Sequence, residues 1–158
     1  MFFENFKCGC GYPVKPSCKA YGTMYNVGDT EITVATPNTY VPVTLNTQGP
    51  ASSTTALTNS IQVNRAGTYA VYYRLNINAS AEAAQTISAA VFNNGSIIAP
   101  TTASVALTEV TEGTYAGSLS VETIVELNAC DVISLQLTSD TAGTITVTDY
   151  ATLSVKQI

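Results

Sequence analysis

The chain contains no histidine and no tryptophan. The missing histidine removes the usual general base, the commonest metal ligand and every Ser-His-Asp or Cys-His arrangement, so most hydrolytic chemistry is excluded and the expectation is a protein that is not an enzyme. Charge is scarce: 11% of residues are charged, against roughly 25% in a typical soluble domain. Six basic residues stand against eleven acidic ones, which leaves no patch able to neutralise a nucleic-acid backbone and excludes nucleic acid as a main partner. No apolar run approaches the roughly 20 residues that cross a bilayer, so no membrane partner is expected. The first 19 residues, MFFENFKCGCGYPVKPSCK, lack the apolar stretch of a secretory signal, and the expectation is that the chain was processed or never used that route. Neither a G-x-G-x-x-G nor a Walker pattern is present, so neither a nucleotide nor another cofactor is expected.

What is present is β-branched and small polar residues. The 158 residues are 46% hydrophobic, enough for one domain with a full core. Val, Ile and Thr lose little freedom on a pleated sheet, which favours strands over helices. A boundary falls near residues 18–20, where a segment of Gly, Pro, Lys and Cys gives way to apolar and polar alternation. Residues 1–19 read as an arm: Pro13 and Pro16 stiffen it, and Gly9 and Gly11 allow a bend. The arm carries +2 and the remaining body −7 of the net −5, which suits an arm drawn to the body of a neighbouring copy.

Residues 20–158 read as short strands at 20–25, 32–35, 40–45, 61–63, 68–77, 86–92, 97–98, 115–127, 132–137 and 145–155. Asn93-Asn94-Gly95 is a hairpin signal, and Arg65-Ala66-Gly67 and Thr141-Ala142-Gly143 punctuate similarly. Residues 48–59 are polar and read as a surface loop, as do 79–85. About 8–10 strands without a helical period predict an all-β fold, an antiparallel jelly-roll β-sandwich with an extended N-terminal arm.

The remaining chemistry is sparse. Glu109, Glu112, Glu122, Glu126 and Asp131 could supply an acid and base pair, but Glu109 and Glu112 flank a turn. Glu122 and Glu126 share one strand face, and the pattern reads as a solvated edge that resists aggregation. Cys8, Cys10 and Cys18 lack the paired spacing of a structural zinc site, and no metal is expected. Cys8 and Cys10 are too close to bond each other comfortably. Together with Cys130 they are candidate disulfide cysteines, either within one chain or between copies. Asn78-Ala79-Ser80 and Asn94-Gly95-Ser96 fit a glycosylation pattern and are assigned no function. Phe2, Phe3 and Phe6 place three of four phenylalanines at the chain's front, where an aromatic cluster reads as an inter-subunit docking element.

In order and spacing, the segments AYGTMYN, VPVTLNTQG, SIQVNRAGTYAVYYRLN, VFNNGSII, GSLSVETIVELNACDVISLQLTSDTAGTITV and ATLSVKQI resemble the globular C-terminal domain of BclA-type spore-surface (exosporium) proteins. That domain belongs to the trimeric jelly rolls related to tumour necrosis factor (TNF) and to complement heads. Two departures matter: no Gly-X-Y stalk precedes the head, and Cys130 occupies a turn where such heads commonly carry a small residue such as Gly. The resemblance implies a homotrimeric structural subunit of a bacterial endospore appendage, a pilus-like fibre on the spore surface. Trimers would stack head to tail, with the arm docking in the next layer and cysteines locking the joint. At about 3.3 Å per residue a 19-residue arm spans about 60 Å, long enough to enter a neighbour. The competing reading is a non-polymerising adhesive or receptor-binding head, anchored by its arm to a spore surface, a fibre tip or another spore-surface protein.

Overall fold

The computed structural model describes residues 19–79, 84–108 and 113–158. Alternation dominates the longest strands. In Gly67–Ala79 (β7), the side chains of Tyr69, Val71, Tyr73, Leu75 and Ile77 are all buried, while Ala70, Tyr72, Arg74, Asn76 and Asn78 face the other way. Period-2 patterning of this kind forces one face of a sheet inward.

Fourteen strands form among the described residues. The first six are β1 (Tyr21–Tyr25), β2 (Thr30–Val34), β3 (Val41–Pro42), β4 (Thr47–Ser52), β5 (Thr54–Leu57) and β6 (Ser60–Val63). After β7 come β8 (Gln85–Asn93), β9 (Ser96–Ile97), β10 (Ala103–Leu107), β11 (Tyr115–Leu127), β12 (Val132–Ser139), β13 (Gly143–Val147) and β14 (Thr152–Gln157). A short 3₁₀ turn at Ala99–Thr101 joins β9 to β10. All pairings are antiparallel, in two seven-stranded sheets. In the first sheet β7 pairs with β11 along one edge and with β14 and β13 along the other; β1 and β4 extend it beyond β14, and β2 beyond β13. The second sheet runs β10, β8, β12, β6, β5, with β3 on β12 and β9 on β8. The two inner faces close on Tyr69, Tyr73, Leu75 and Leu153 from one side and Ile61, Ile87, Ile133, Leu135 and Leu137 from the other. The architecture is the predicted all-β jelly-roll sandwich.

Three sequence expectations need correction. The segment 145–155 is two strands rather than one. Both follow the same edge of β7, Ile145 opposite Ala79 and Gln157 opposite Tyr69, but a turn at residues 148–151 with Tyr150 at φ 66 breaks the line. The polar segment 48–59 is largely strand. β4 lies on the edge strand β1, with a register shift between Gly22 and Met24, and β5 turns back on β6 through Asn59 at φ 54. Edge strands gain their ladder bonds without an apolar face, and an edge or bulge tolerates Pro50. The third is β10, unpredicted although Val105 and Leu107 pack toward the core.

Candidate assembly face

The outward face of the first sheet is built by the residues of β11, β7, β14 and β1 that the core does not use. Register sets them in rows. Ile124, Ala70, Lys156 and Tyr21 lie side by side across the four strands. The next row is Glu122, Tyr72, Ser154 and Thr23, and the one beyond it is Ser120, Arg74, Thr152 and Tyr25. Tyr150, at the turn entering β14, stands 6.4 Å from Tyr25 between ring centroids.

This face is partly apolar and open. Ile124 is 64% exposed, Tyr150 63% and Tyr21 43%, and Arg74, Lys156, Glu122 and Glu126 are exposed among them. Ala70 is the small residue between Ile124 and Lys156, with Tyr72 two positions along its strand. A low point beside large side chains is a shape that a second surface can fill. Both charge signs are present, so contact with a like surface need not oppose like charges. Glu122 and Glu126 share one face of β11, as the sequence predicts.

The second sheet's outward side differs. Phe92 is directed away from the core but is covered by Tyr40, the rings meeting edge-on at 5.0 Å. That side also carries small hydroxyls that pair with each other, as Ser88 and Ser104 do at 2.7 Å, and exposes Ile97 and Leu57 singly.

Among the docking and disulfide candidates, Phe2, Phe3, Phe6, Cys8, Cys10 and Cys18 lie outside the described residues, as do the arm's first 18 positions and Glu109 and Glu112. Cys130 is described. It sits in the exposed turn between β11 and β12 at φ 73, with its amide donating to the Val63 carbonyl at 2.7 Å. That left-handed conformation is one that glycine adopts without strain.

Next to Cys130, Asp131 is 7% exposed and gathers three donors at 2.9 Å: the Asn128 amide and the Asn93 side chain on Oδ2, and the Asn94 side chain on Oδ1. Burial pushes this carboxyl's pKa up, but the bonds from Asn128, Asn93 and Asn94 outweigh it and hold the pKa below the ordinary 3.8. Such an ionised, saturated carboxylate is a structural clamp and a poor proton donor. The Asn94 side-chain oxygen in turn accepts the Val132 amide at 2.9 Å, which ties the β8–β9 turn to β12.

In the core, burial, with a smaller contribution from Tyr40, raises the Tyr73 hydroxyl to about 12. It stays neutral and donates toward the carbonyls of Ala89 at 3.1 Å and Thr101 at 2.9 Å. An open groove between β1 and the β5–β6 turn is lined by Met24, Leu45, Asn46, Ala56, Leu57, Thr58 and Asn59. Its lining has no titratable or nucleophilic group suited to catalysis. No cluster of three or more His, Cys, Asp or Glu suited to a metal occurs among the described residues.

Sequence reading missed the face itself. The signal lay in GTYAVYYRLNIN, where the in-phase Tyr69, Val71 and Tyr73 fill the core and leave Tyr72 out of phase on the opposite side.

No protein-family model matches the chain, and no curated protein matches it. Solved structures do. An Eiger TNF from S. frugiperda superposes with a TM-score of 0.63 at 11% identity, covering 89% of this chain and 93% of that one. Murine APRIL superposes with TM-scores of 0.59 and 0.58 in structures at pH 5.0 and pH 8.0, at 11% identity, covering 89% of this chain and 99% of those. At that identity the likeness concerns the fold alone, and the fold of this chain is a TNF-like jelly roll.

Proposed function

We propose that this chain is a structural subunit. Its TNF-like jelly roll associates as a homotrimer through the outward face of the first sheet, and the trimers stack head to tail into a bacterial spore-surface appendage fibre through the arm at residues 1–19. The observation that carries the reading is the exposed row of Ile124, Ala70, Lys156 and Tyr21 beside Tyr72, Tyr25 and Tyr150. A contiguous, partly apolar face that gathers several large side chains in adjacent rows marks an interaction site. The BclA-like resemblance and the TNF-like fold support a trimer as the closed form of that contact. The spore-surface location and fibre rest on the resemblance and on the arm, with Phe2, Phe3 and Phe6 as its docking residues.

Cys130 supports a covalent tie. It is exposed in the turn between β11 and β12, and the chain's other cysteines are Cys8, Cys10 and Cys18. A bond from the arm to a jelly roll, of the same copy or of the next, would act on the joint that the aromatic residues anchor.

The test is analytical ultracentrifugation and negative-stain electron microscopy of the full chain, of a chain lacking residues 1–19, and of Ile124→Lys, each with and without reductant. Filaments from the full chain, discrete trimers without the arm and monomers from Ile124→Lys support the proposal. Monomers at all concentrations from every chain overturn it. Discrete trimers from both the full and truncated chains replace the fibre with the arm-anchored adhesive head.

A further inference from the structure

Asn94 is the one asparagine in the chain that glycine follows, and the pair forms the exposed tip of the β8–β9 hairpin. Asn94 has φ 50 and Gly95 φ 83, with open space where a Gly95 side chain would sit. Primed turns select this pair for its tolerance of positive φ. The same pair carries a chemical liability, because no side chain on the following residue shields its amide nitrogen from the asparagine carbonyl.

We propose that Asn94 is a latent site of spontaneous deamidation, guarded by Asp131. In the reaction the Gly95 amide nitrogen attacks Asn94 Cγ and gives up its proton. The Cγ–Nδ2 bond breaks, ammonia leaves, and a five-membered cyclic imide forms. Water adds to either imide carbonyl and opens the ring to aspartate or isoaspartate. Water is the only co-reactant, and nothing is oxidised or reduced.

The clamp opposes the first step. Asn94 Nδ2 donates to Asp131 Oδ1 at 2.9 Å, its Oδ1 accepts the Val132 amide at 2.9 Å, and its own amide donates to the Val132 carbonyl at 2.9 Å. The side chain must leave both partners before Cγ can swing toward the Gly95 nitrogen, so the folded turn reacts only through a locally opened population. Releasing two hydrogen bonds makes that population scarce, and the folded protein should deamidate about tenfold or more slower than the unfolded chain.

The product removes its own guard. Aspartate at position 94 has no amide to donate, and its carboxylate faces the Asp131 carboxylate across a hydrogen-bond distance, where two like charges do not coexist comfortably. Isoaspartate also lengthens the backbone of a two-residue turn. Either product detaches the β8–β9 tip from the β11–β12 turn that carries Cys130, so in a long-lived assembly this end of the sandwich would loosen with age.

The test is timed incubation at mildly alkaline pH followed by peptide mapping, counting aspartate and isoaspartate at position 94. Four samples are compared: folded wild type, wild type in denaturant, folded Asp131→Ala and folded Asn93→Ala. The last loses a different donor to Asp131 and keeps the Asn94 contact. Expected are slow conversion in folded wild type and Asn93→Ala, and rates about tenfold higher in denaturant and in Asp131→Ala. Circular dichroism confirms that the variants are folded, and Asp131→Asn replaces any Asp131→Ala that is not. Equal rates in folded and denatured wild type overturn the guarding role, as does a folded Asp131 variant that converts no faster than wild type. Equal acceleration in Asn93→Ala and the Asp131 variant overturns it too, by reducing the effect to general loosening.

Discussion

Replacing Asp131 with Asn keeps the shape of the side chain and removes its charge. Asp131 accepts from three donors at 2.9 Å, two of them on the same oxygen. The best orientation of Asn keeps its one carbonyl oxygen on the Asn93 and Asn128 donors and turns an amide group against the Asn94 amide. Two charge-assisted bonds become neutral ones of about half the strength, and one buried donor is left facing another at a cost of about 1–3 kcal/mol. The sum is about 2–4 kcal/mol of lost stability, or a fall in Tm of about 4–16 °C for a domain this size. The assay is urea unfolding of reduced protein at fixed concentration, where a shift in midpoint at constant slope reports stability alone. The pH dependence follows from the sign of the shift. The folded carboxyl titrates below 3.8, so its contribution is fully present above that value and disappears as pH falls through the lower, folded pKa. The gap between wild type and Asp131→Asn should therefore be constant from about pH 5 to 8 and close only in stronger acid. A gap below about 0.5 kcal/mol at neutral pH would refute the clamp, and a gap that narrows as pH rises between about 4 and 6 would show that desolvation outweighs the three hydrogen bonds.

Three further outcomes are expected. Gly22→Ala places a methyl group 2.5 Å from Thr54 Oγ1 and 3.3 Å from Ile61 Cγ2, where β1 crosses β5 and β6, and thermal denaturation should show a loss of about 1–3 kcal/mol. Tyr73→Phe strips the Ala89 and Thr101 carbonyls of a shared donor and should cost about 1–2 kcal/mol in urea titration while leaving the sedimentation coefficient unchanged. Ile124→Lys, on a side chain 64% exposed, should leave monomer stability within about 0.5 kcal/mol of wild type and, on the proposed trimeric assembly, shift sedimentation from trimer to monomer.

The inward half of each long strand was legible because alternation is a local signal. The phase of Tyr69, Val71 and Tyr73 follows from residue type, and so does the Asn94-Gly95 turn. Edge strands were not legible, since β4 and β5 are specified by the backbone groups of β1 and β6 and not by their own apolar content. The break at Tyr150 was hidden because both halves, 143–147 and 152–157, keep pairing with β7 and so keep a continuous alternating pattern. The Asp131 clamp was out of reach for another reason. Asn128 lies three positions before it in the same turn, but Asn93 and Asn94 reach it only through the pairing of β8 with β12. No spacing rule connects residues about 35 positions apart until the sheet order is known.

The contrast between the two outward sides bears on how the molecule meets others. Each sheet must bury one face, and the solvent face is then free to be polar throughout. The second sheet comes nearer to that course: it seats its one outward phenylalanine, Phe92, under Tyr40 and leaves Ile97 and Leu57 as its exposed large apolar side chains. The first sheet does not, although Thr and Ser are abundant in this chain and occupy many of its outward positions. Tyr21, Tyr25, Tyr72 and Ile124 stand where hydroxyl side chains would serve a monomer equally well, and none of the described residues folds over Ile124 or Tyr150 to hide them. Tyrosine provides large contact area with few rotatable bonds and keeps a polar tip for the unbound state, which suits a surface that must survive exposure before it assembles. On the proposed assembly, Ala70 is the low point among them that a side chain from a second copy would fill. Because that face spans β11, β7, β14 and β1, a single charge introduced at Ile124 tests the interface without touching the core that β7 builds on its other side.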